Sequence, residues 1–344
     1  MSQPASRRLL IRAAGAVFAL SKELAALQIN RKPTALVADS LCKEHDPGPA
    51  HPEKPERWDV IWTALDQSGL RKKLLALESR HATEEEIATC HTRHYIAQAR
   101  REITSGARQL STGDTSVNRR SWDAALRATG GVLQAVDAVM QDQAKNAFCL
   151  VRPPGHHATP ERGMGFCIFN SVAIAARYAQ RKHGADRVLI VDWDVHHGNG
   201  TQDIFYTDGS VLFFSTHQHP WYPGTGLASE TGEGKGKGKI INRPLPAGSG
   251  REEILGAFRE ALLPAANAFQ PALVLVSAGF DSKLGDPLGR FRLLDEDFRE
   301  LTRLLLEIAD KHCQGRLVSV LEGGYNLNGI GSAVTAHVKT LEQA

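Results

Sequence analysis

The sequence predicts an α/β fold: one domain on a central parallel sheet with helices on both faces. Two observations predict it. β-prone apolar runs end in polar or glycine-rich loops, and stretches of helical periodicity lie between most of them. A third supports it, since these runs are apolar throughout rather than alternating, as strands covered on both faces are. The expected strands are Thr34–Ala38, Ala147–Val151, Val188–Val191, Val211–Ser215, Leu273–Val276 and Leu317–Leu321. The expected helices are Trp122–Met140, Ser171–Arg181, Glu252–Phe269 and Asp297–His312. Strands alternating with helices imply right-handed crossovers and a doubly wound sheet. Ligands bind such sheets at the carboxyl ends of the strands.

Composition narrows the function classes. The 344 residues are 42% hydrophobic and 23% charged with a net charge of only +3, so no basic surface for nucleic acid is expected. The nearest candidate, Lys235, Lys237 and Lys239 alternating with glycine, reads as a solvated loop. No run reaches the roughly 20 apolar residues of a membrane span. Cys42, Cys90, Cys149, Cys167 and Cys313 are odd in number and widely spaced, which suits buried thiols in a reducing, cytoplasmic setting. Cys90-His91 with His94 has no second half and is a weak metal candidate. Residues 1–32 are expected to be an N-terminal extension ahead of a catalytic domain at 33–344. Arg7, Arg8, Arg12 and Lys22 precede the first acid there, so the alternatives are an amphipathic surface helix or an export or organellar signal.

The strand ends carry the chemistry. Val188–Val191 runs into Asp192-Trp193-Asp194-Val195-His196-His197-Gly198-Asn199, and in an extended chain residues two apart share a side. Asp194 and His196 therefore face one cation, with oxygen and nitrogen donors that suit Zn²⁺. Asp281, closing another strand end, is the best third ligand, against the plainer reading of a turn cap. Arg152-Pro153-Pro154-Gly155-His156-His157 sets two histidines in an irregular turn; a single buried histidine is more often structural, but two adjacent ones in a polar loop favour acid/base work. Asp192 and Asn199 can each hold one imidazole, and the Asp partner raises its histidine's pKa more than the Asn does. Tyr325 follows two glycines and either donates its hydroxyl to an oxyanion or packs at a turn. Together these groups describe amide hydrolysis by metal-activated water.

These motifs resemble the histone deacetylase superfamily, in its class II and bacterial amidohydrolase branch. The similarity runs in order from Glu44–Glu53 through Val151–Ala158, Gly163–Cys167, Asp192–Gly200, Tyr222–Gly226, Ser277–Asp281 and Glu322–Asn326. The resemblance implies an arginase/deacetylase-type fold and one Zn²⁺ per chain on Asp194, His196 and Asp281, with Fe²⁺ as an alternative. It implies His157 as general base and acid, His156 as electrostatic partner, Asp192 and Asn199 as their orienting groups, and Tyr325 as oxyanion donor. It further implies a substrate tunnel lined by Phe166 and Tyr222 beside Gly165, a rim role for Asp114, and Arg57 at an inner channel. A structural K⁺ is expected at backbone carbonyls near Asp192, Asp194, His196 and Ser215.

Polyamine deacetylases of the superfamily carry an acidic gatekeeper after the Asp-Pro of this loop, whereas Asp286-Pro287 is followed here by Leu288. Leucine cannot attract a substrate ammonium, which favours acyl-lysine, on proteins or in small acyl amides, over acetylpolyamine. The competing classes are a non-catalytic acyl-lysine-binding module and a two-metal ureohydrolase. No nucleic-acid or membrane partner is expected, and homo-oligomerisation is open.

Overall fold

The computed structural model describes residues 32–344. All of the N-terminal extension expected at 1–32 except Lys32 lies outside the described residues, and its targeting alternatives with it. Eight parallel strands form one sheet in the order β2-β1-β3-β8-β7-β4-β5-β6. They are β1 (Thr34–Ala38), β2 (Leu75–Leu77), β3 (Asn146–Leu150), β4 (Val188–Asp192), β5 (Val211–Gln218), β6 (Ile240–Leu245), β7 (Leu273–Ala278) and β8 (Leu317–Leu321). The six expected strands are the central ones, shifted or extended by a few residues at most. The expected arginase/deacetylase-type α/β architecture is the one observed.

Two edge strands escaped the sequence pattern for physical reasons. β2 has only three residues, and β6 contains Arg243 and Pro244, which a central strand would not carry. The long helices sort into two layers. Ser121–Met140 packs on Ser171–His183 and on β1, β3 and β8, while Glu56–Gln67, Asp295–Cys313 and Ile330–Glu342 pack together on the other face. Glu56–Gln67 is hard to see in sequence because its buried side includes Arg57 beside Trp58, Ile61 and Leu65. Arg93–Ser105 was also unanticipated; Thr92 caps its start and Gly106 ends it in the left-handed region.

The helix expected over Glu252–Phe269 is not continuous. Arg251–Ala257 and Leu263–Phe269 are joined by a π turn at Phe258–Leu262. Pro264 is the physical reason, because it lacks an N–H to donate to the preceding turn and its ring crowds the carbonyl there. Among the described residues no helix is long and apolar enough to cross a membrane. All five cysteines are buried and free.

Candidate active site

Four neighbouring strands, β3, β8, β7 and β4, end in the loops that build the site. β4 delivers Asp194 and His196, and β7 delivers Asp281. Their ligand atoms lie within 4.8 Å of one another, and all three side chains are buried. His196 Nδ1 is 2.9 Å from Asp194 Oδ1 and 3.2 Å from Asp281 Oδ2. The carboxylates are aimed by backbone donors: Val195 N–H to Asp281 Oδ1 (2.8 Å), His196 N–H to Asp194 Oδ1 (2.9 Å) and Gly323 N–H to Asp194 Oδ2 (2.8 Å). Asp281 Oδ2 is buried, makes no well-directed hydrogen bond and has only His196 Nδ1 near it, at 3.2 Å. Two buried carboxylates and an imidazole converging with so little hydrogen bonding are costly unless a cation meets them, so the donor set fits Zn²⁺. Burial, then the nearby Asp194, pushes the Asp281 carboxyl up to about 7. A dication held there would relieve that repulsion.

His156 and His157 follow β3, with ring centroids 4.0 Å apart. His156 Nδ1 faces Asp192 Oδ2 at 2.9 Å, and His157 Nδ1 faces Asn199 Oδ1 at 2.8 Å. Burial works against the His156 imidazolium, but the carboxylates of Asp192 and Asp194 outweigh it and hold its pKa well above the usual histidine value. We take this pair as imidazolium and carboxylate, although burial also favours the neutral Asp192. His157 has no carboxylate on its ring. Burial, then the neighbouring His156 and His196, keeps it well below the usual value. An amide oxygen can only accept, so Nδ1 of His157 carries the proton and Nε2 keeps a lone pair.

Asp114, His157, Gly165, Phe166, His196, Trp221, Tyr222, Leu288 and Tyr325 line one pocket of about 240 Å³ that leads to this cluster. All five residues expected to bind substrate are thus in one place. Gly165 and Phe166 both have φ near +60°, which turns the Phe166 ring into the pocket, edge-on to Tyr325 at 5.9 Å. A Cβ on Gly165 would stand 2.3 Å from His157 Cδ2, so that position admits no side chain. Asp114 Oδ1 accepts from Gly165 N–H at 2.6 Å. Burial raises the Tyr325 hydroxyl well above its ordinary pKa and keeps it a donor.

Several supporting residues, Trp221 among them, were given no role in the sequence, and Arg57, expected at an inner channel, lies with them. Trp221 lines the pocket and its Nε1–H donates to the Leu288 carbonyl at 2.8 Å. Asp286 Oδ2 accepts from Tyr325 N–H (2.7 Å) and Asn326 N–H (3.1 Å), while Oδ1 accepts from Leu288 N–H (2.9 Å). One carboxylate therefore fixes the loops on both sides of the pocket. Glu53 is fully buried and accepts from Arg57 Nη1 at 2.9 Å and Arg152 Nε at 2.6 Å. Arg57 itself donates to the carbonyls of Glu322 and Gly324, both at 2.6 Å, with its guanidinium 4.8 Å from the Tyr325 ring centroid. It braces the tyrosine loop from behind. The Cys90, His91 and His94 group does not assemble: both ring nitrogens of His91 are engaged, with Thr159 O and Asn170 N–H.

The histone deacetylase domain family matches residues 51–341. A probable deacetylase of Archaeoglobus fulgidus is 41% identical over 298 residues, covering 86% of this chain and 82% of the relative. A polyamine deacetylase of Danio rerio is 41% identical over 300 residues, 84% of this chain but only 44% of the relative. The crystal structure of the HDA15 HD domain superposes with a TM-score of 0.86 at 38% identity, over 90% of this chain and 89% of that one. The chain is a deacetylase and belongs to the histone deacetylase family.

Proposed function

We propose that this deacetylase is zinc-dependent, with Fe²⁺ as an alternative metal, and hydrolyses the amide of Nε-acetyl-lysine or a comparable short acyl amide. One observation carries the reading: Asp194, His196 and Asp281 converge within 4.8 Å beneath a pocket that also exposes His157 and Tyr325. Asp194, His196 and Asp281 hold the metal, which when bound polarises the amide carbonyl and acidifies a water. Nε2 of His157 takes the proton of the attacking water and returns it to the leaving amine nitrogen. Cationic His156, held by Asp192, and the Tyr325 hydroxyl stabilise the oxyanion as it develops. Phe166, Tyr222, Trp221 and Leu288 give an apolar passage suited to a methylene stem, and Asp114 at its exposed mouth offers an acceptor to a substrate N–H.

A second reading, acetylpolyamine as substrate, is favoured by the similarity to a polyamine deacetylase and opposed by Leu288. The zinc-loaded protein is assayed against acetyl-lysine peptides and acetylpolyamines in parallel. Chelator-sensitive acetate release, lost in Asp194→Ala and faster from peptides, is expected. Release from polyamines alone would reverse the substrate assignment, and none from any acyl amide would overturn the reading.

A further inference from the structure

A second group of metal-ligating side chains adjoins the first. His156, Cys167 and Glu322 are all buried and place a ring nitrogen, a thiol sulfur and a carboxylate oxygen within 4.8 Å of one another. His156 uses Nδ1 on Asp192, and its Nε2 makes only a long contact, 3.9 Å, with Asp194 Oδ2. Glu322 uses Oε2 to accept from Gly155 N–H (2.7 Å) and His156 N–H (3.1 Å), while its Oε1 is buried with no partner. The Cys167 thiol donates only to the Gly165 carbonyl at 3.3 Å, a weak bond that a metal can displace.

We propose that His156, Cys167 and Glu322 form a second, inhibitory metal site beside the catalytic cluster, selective for thiophilic divalent cations such as Zn²⁺, Co²⁺ and Cd²⁺. The donor set sets the selectivity, because sulfur and imidazole favour these ions over Mg²⁺ or Ca²⁺. Charge balances: the cation meets one carboxylate, one neutral imidazole and one thiolate, and the Nε2 proton of the His156 imidazolium and the Cys167 thiol proton both leave to solvent. Binding occupies Nε2 of His156, the atom that faces Asp194 Oδ2 at 3.9 Å, so the ring can no longer serve the oxyanion and turnover falls. The effect on turnover rests on the catalytic reading of His156 given above, whereas uptake of a second metal does not.

Sulfur makes the site readable without an activity assay, since Asp194, His196 and Asp281 contain none. Protein loaded with one Co²⁺ per chain is titrated with further Co²⁺, following thiolate-to-cobalt charge-transfer absorption, bound metal and acetate release together. The second equivalent is expected to bring in the thiolate band while turnover falls in proportion. Cys167→Ser abolishes the band yet keeps the first equivalent, and Glu322→Gln weakens the second equivalent should the serine variant not fold. One metal per chain at excess Co²⁺ with no thiolate band overturns the proposal, as does a band that survives Cys167→Ser. A second metal with its band but no turnover at any loading would leave this site standing and refute the proposed deacylation instead.

Discussion

Replacing Gly323 by alanine should strike the metal cluster without touching a ligand. Gly323 does not need glycine for its backbone, since its φ is not in the left-handed region. It needs it for space: a Cβ there would lie 2.0 Å from Asp281 Oδ2 and 2.5 Å from Asp194 Oδ2, where real contacts essentially never fall below 3.0 Å. One carboxylate must therefore recede by about 1 Å, several times the roughly 0.2 Å within which metal–ligand distances are held. Metal affinity should fall by about 10- to 100-fold, and kcat in the metal-saturated protein by about 100-fold. Chelator competition measures the first and steady-state deacetylation the second. Gly324→Ala is the control, because its Cβ meets Ile330 Cδ1 (2.9 Å) and Phe280 Cβ (3.0 Å), away from the carboxylates. It should lower stability and leave metal affinity alone. Wild-type affinity in Gly323→Ala would refute the claim that this backbone is pressed against the ligands to aim them.

Tyr325→Phe removes only the hydroxyl, and kcat should drop by about 100-fold with KM little changed, as for loss of an oxyanion donor; an unchanged kcat would exclude that role. Burial alone would raise the Glu53 carboxyl, but Arg152, His45 and Arg57 hold it well below its ordinary value of 4.5. Its contribution is thus fully present above pH 4.5 and is lost as pH falls through the lower folded value. Glu53→Gln should lose about 3 kcal/mol of stability at neutral pH and flatten the acid limb, as urea unfolding across pH would show. Leu288→Glu places a carboxylate at the pocket wall and should raise the acetylpolyamine-to-peptide ratio of kcat/KM about fivefold, from an ion pair of about 1 kcal/mol. An unaltered ratio would mean that position 288 does not meet the substrate ammonium.

What the sequence disclosed divides along physical lines. Strands β3, β4, β5, β7 and β8 were visible because burial on both faces makes them continuously apolar, and Asp194 with His196 because the strand period aligns them. The partners of His156 and His157 were expected from chemistry, and the structure brings Asp192 and Asn199 to them at 2.9 and 2.8 Å. Trp221 was not foreseen, since neither local period nor motif marks it, and Asp286 was seen only as the first residue of an Asp-Pro pair, not as a brace. Trp221 matters through a bond to a backbone carbonyl 67 residues away, and Asp286 through backbone N–H groups of Tyr325 and Asn326, 39 and 40 residues on. Backbone donors leave no signature in residue type. The π turn was equally hidden, because an apolar helical period runs through Pro264 without interruption.

Strand order is the least legible feature in the pattern of apolar runs, yet the chemistry of the site constrains it. Adjacent strands lie about 4.8 Å apart, and the ligands sit within a few residues of their strand ends. For Asp281 and Asp194 to meet one ion, β7 must be a neighbour of β4, although two strands intervene in sequence. The contact of Glu322 with Gly155 and His156 likewise requires β8 beside β3. Gly323 N–H on Asp194 links the ends of β8 and β4 across β7, with which both strands pair. The site is thus closed by contacts among the ends of four strands in the order β3-β8-β7-β4. A chain that had to bring these four loops to one cation could not have placed its central strands in their sequence order.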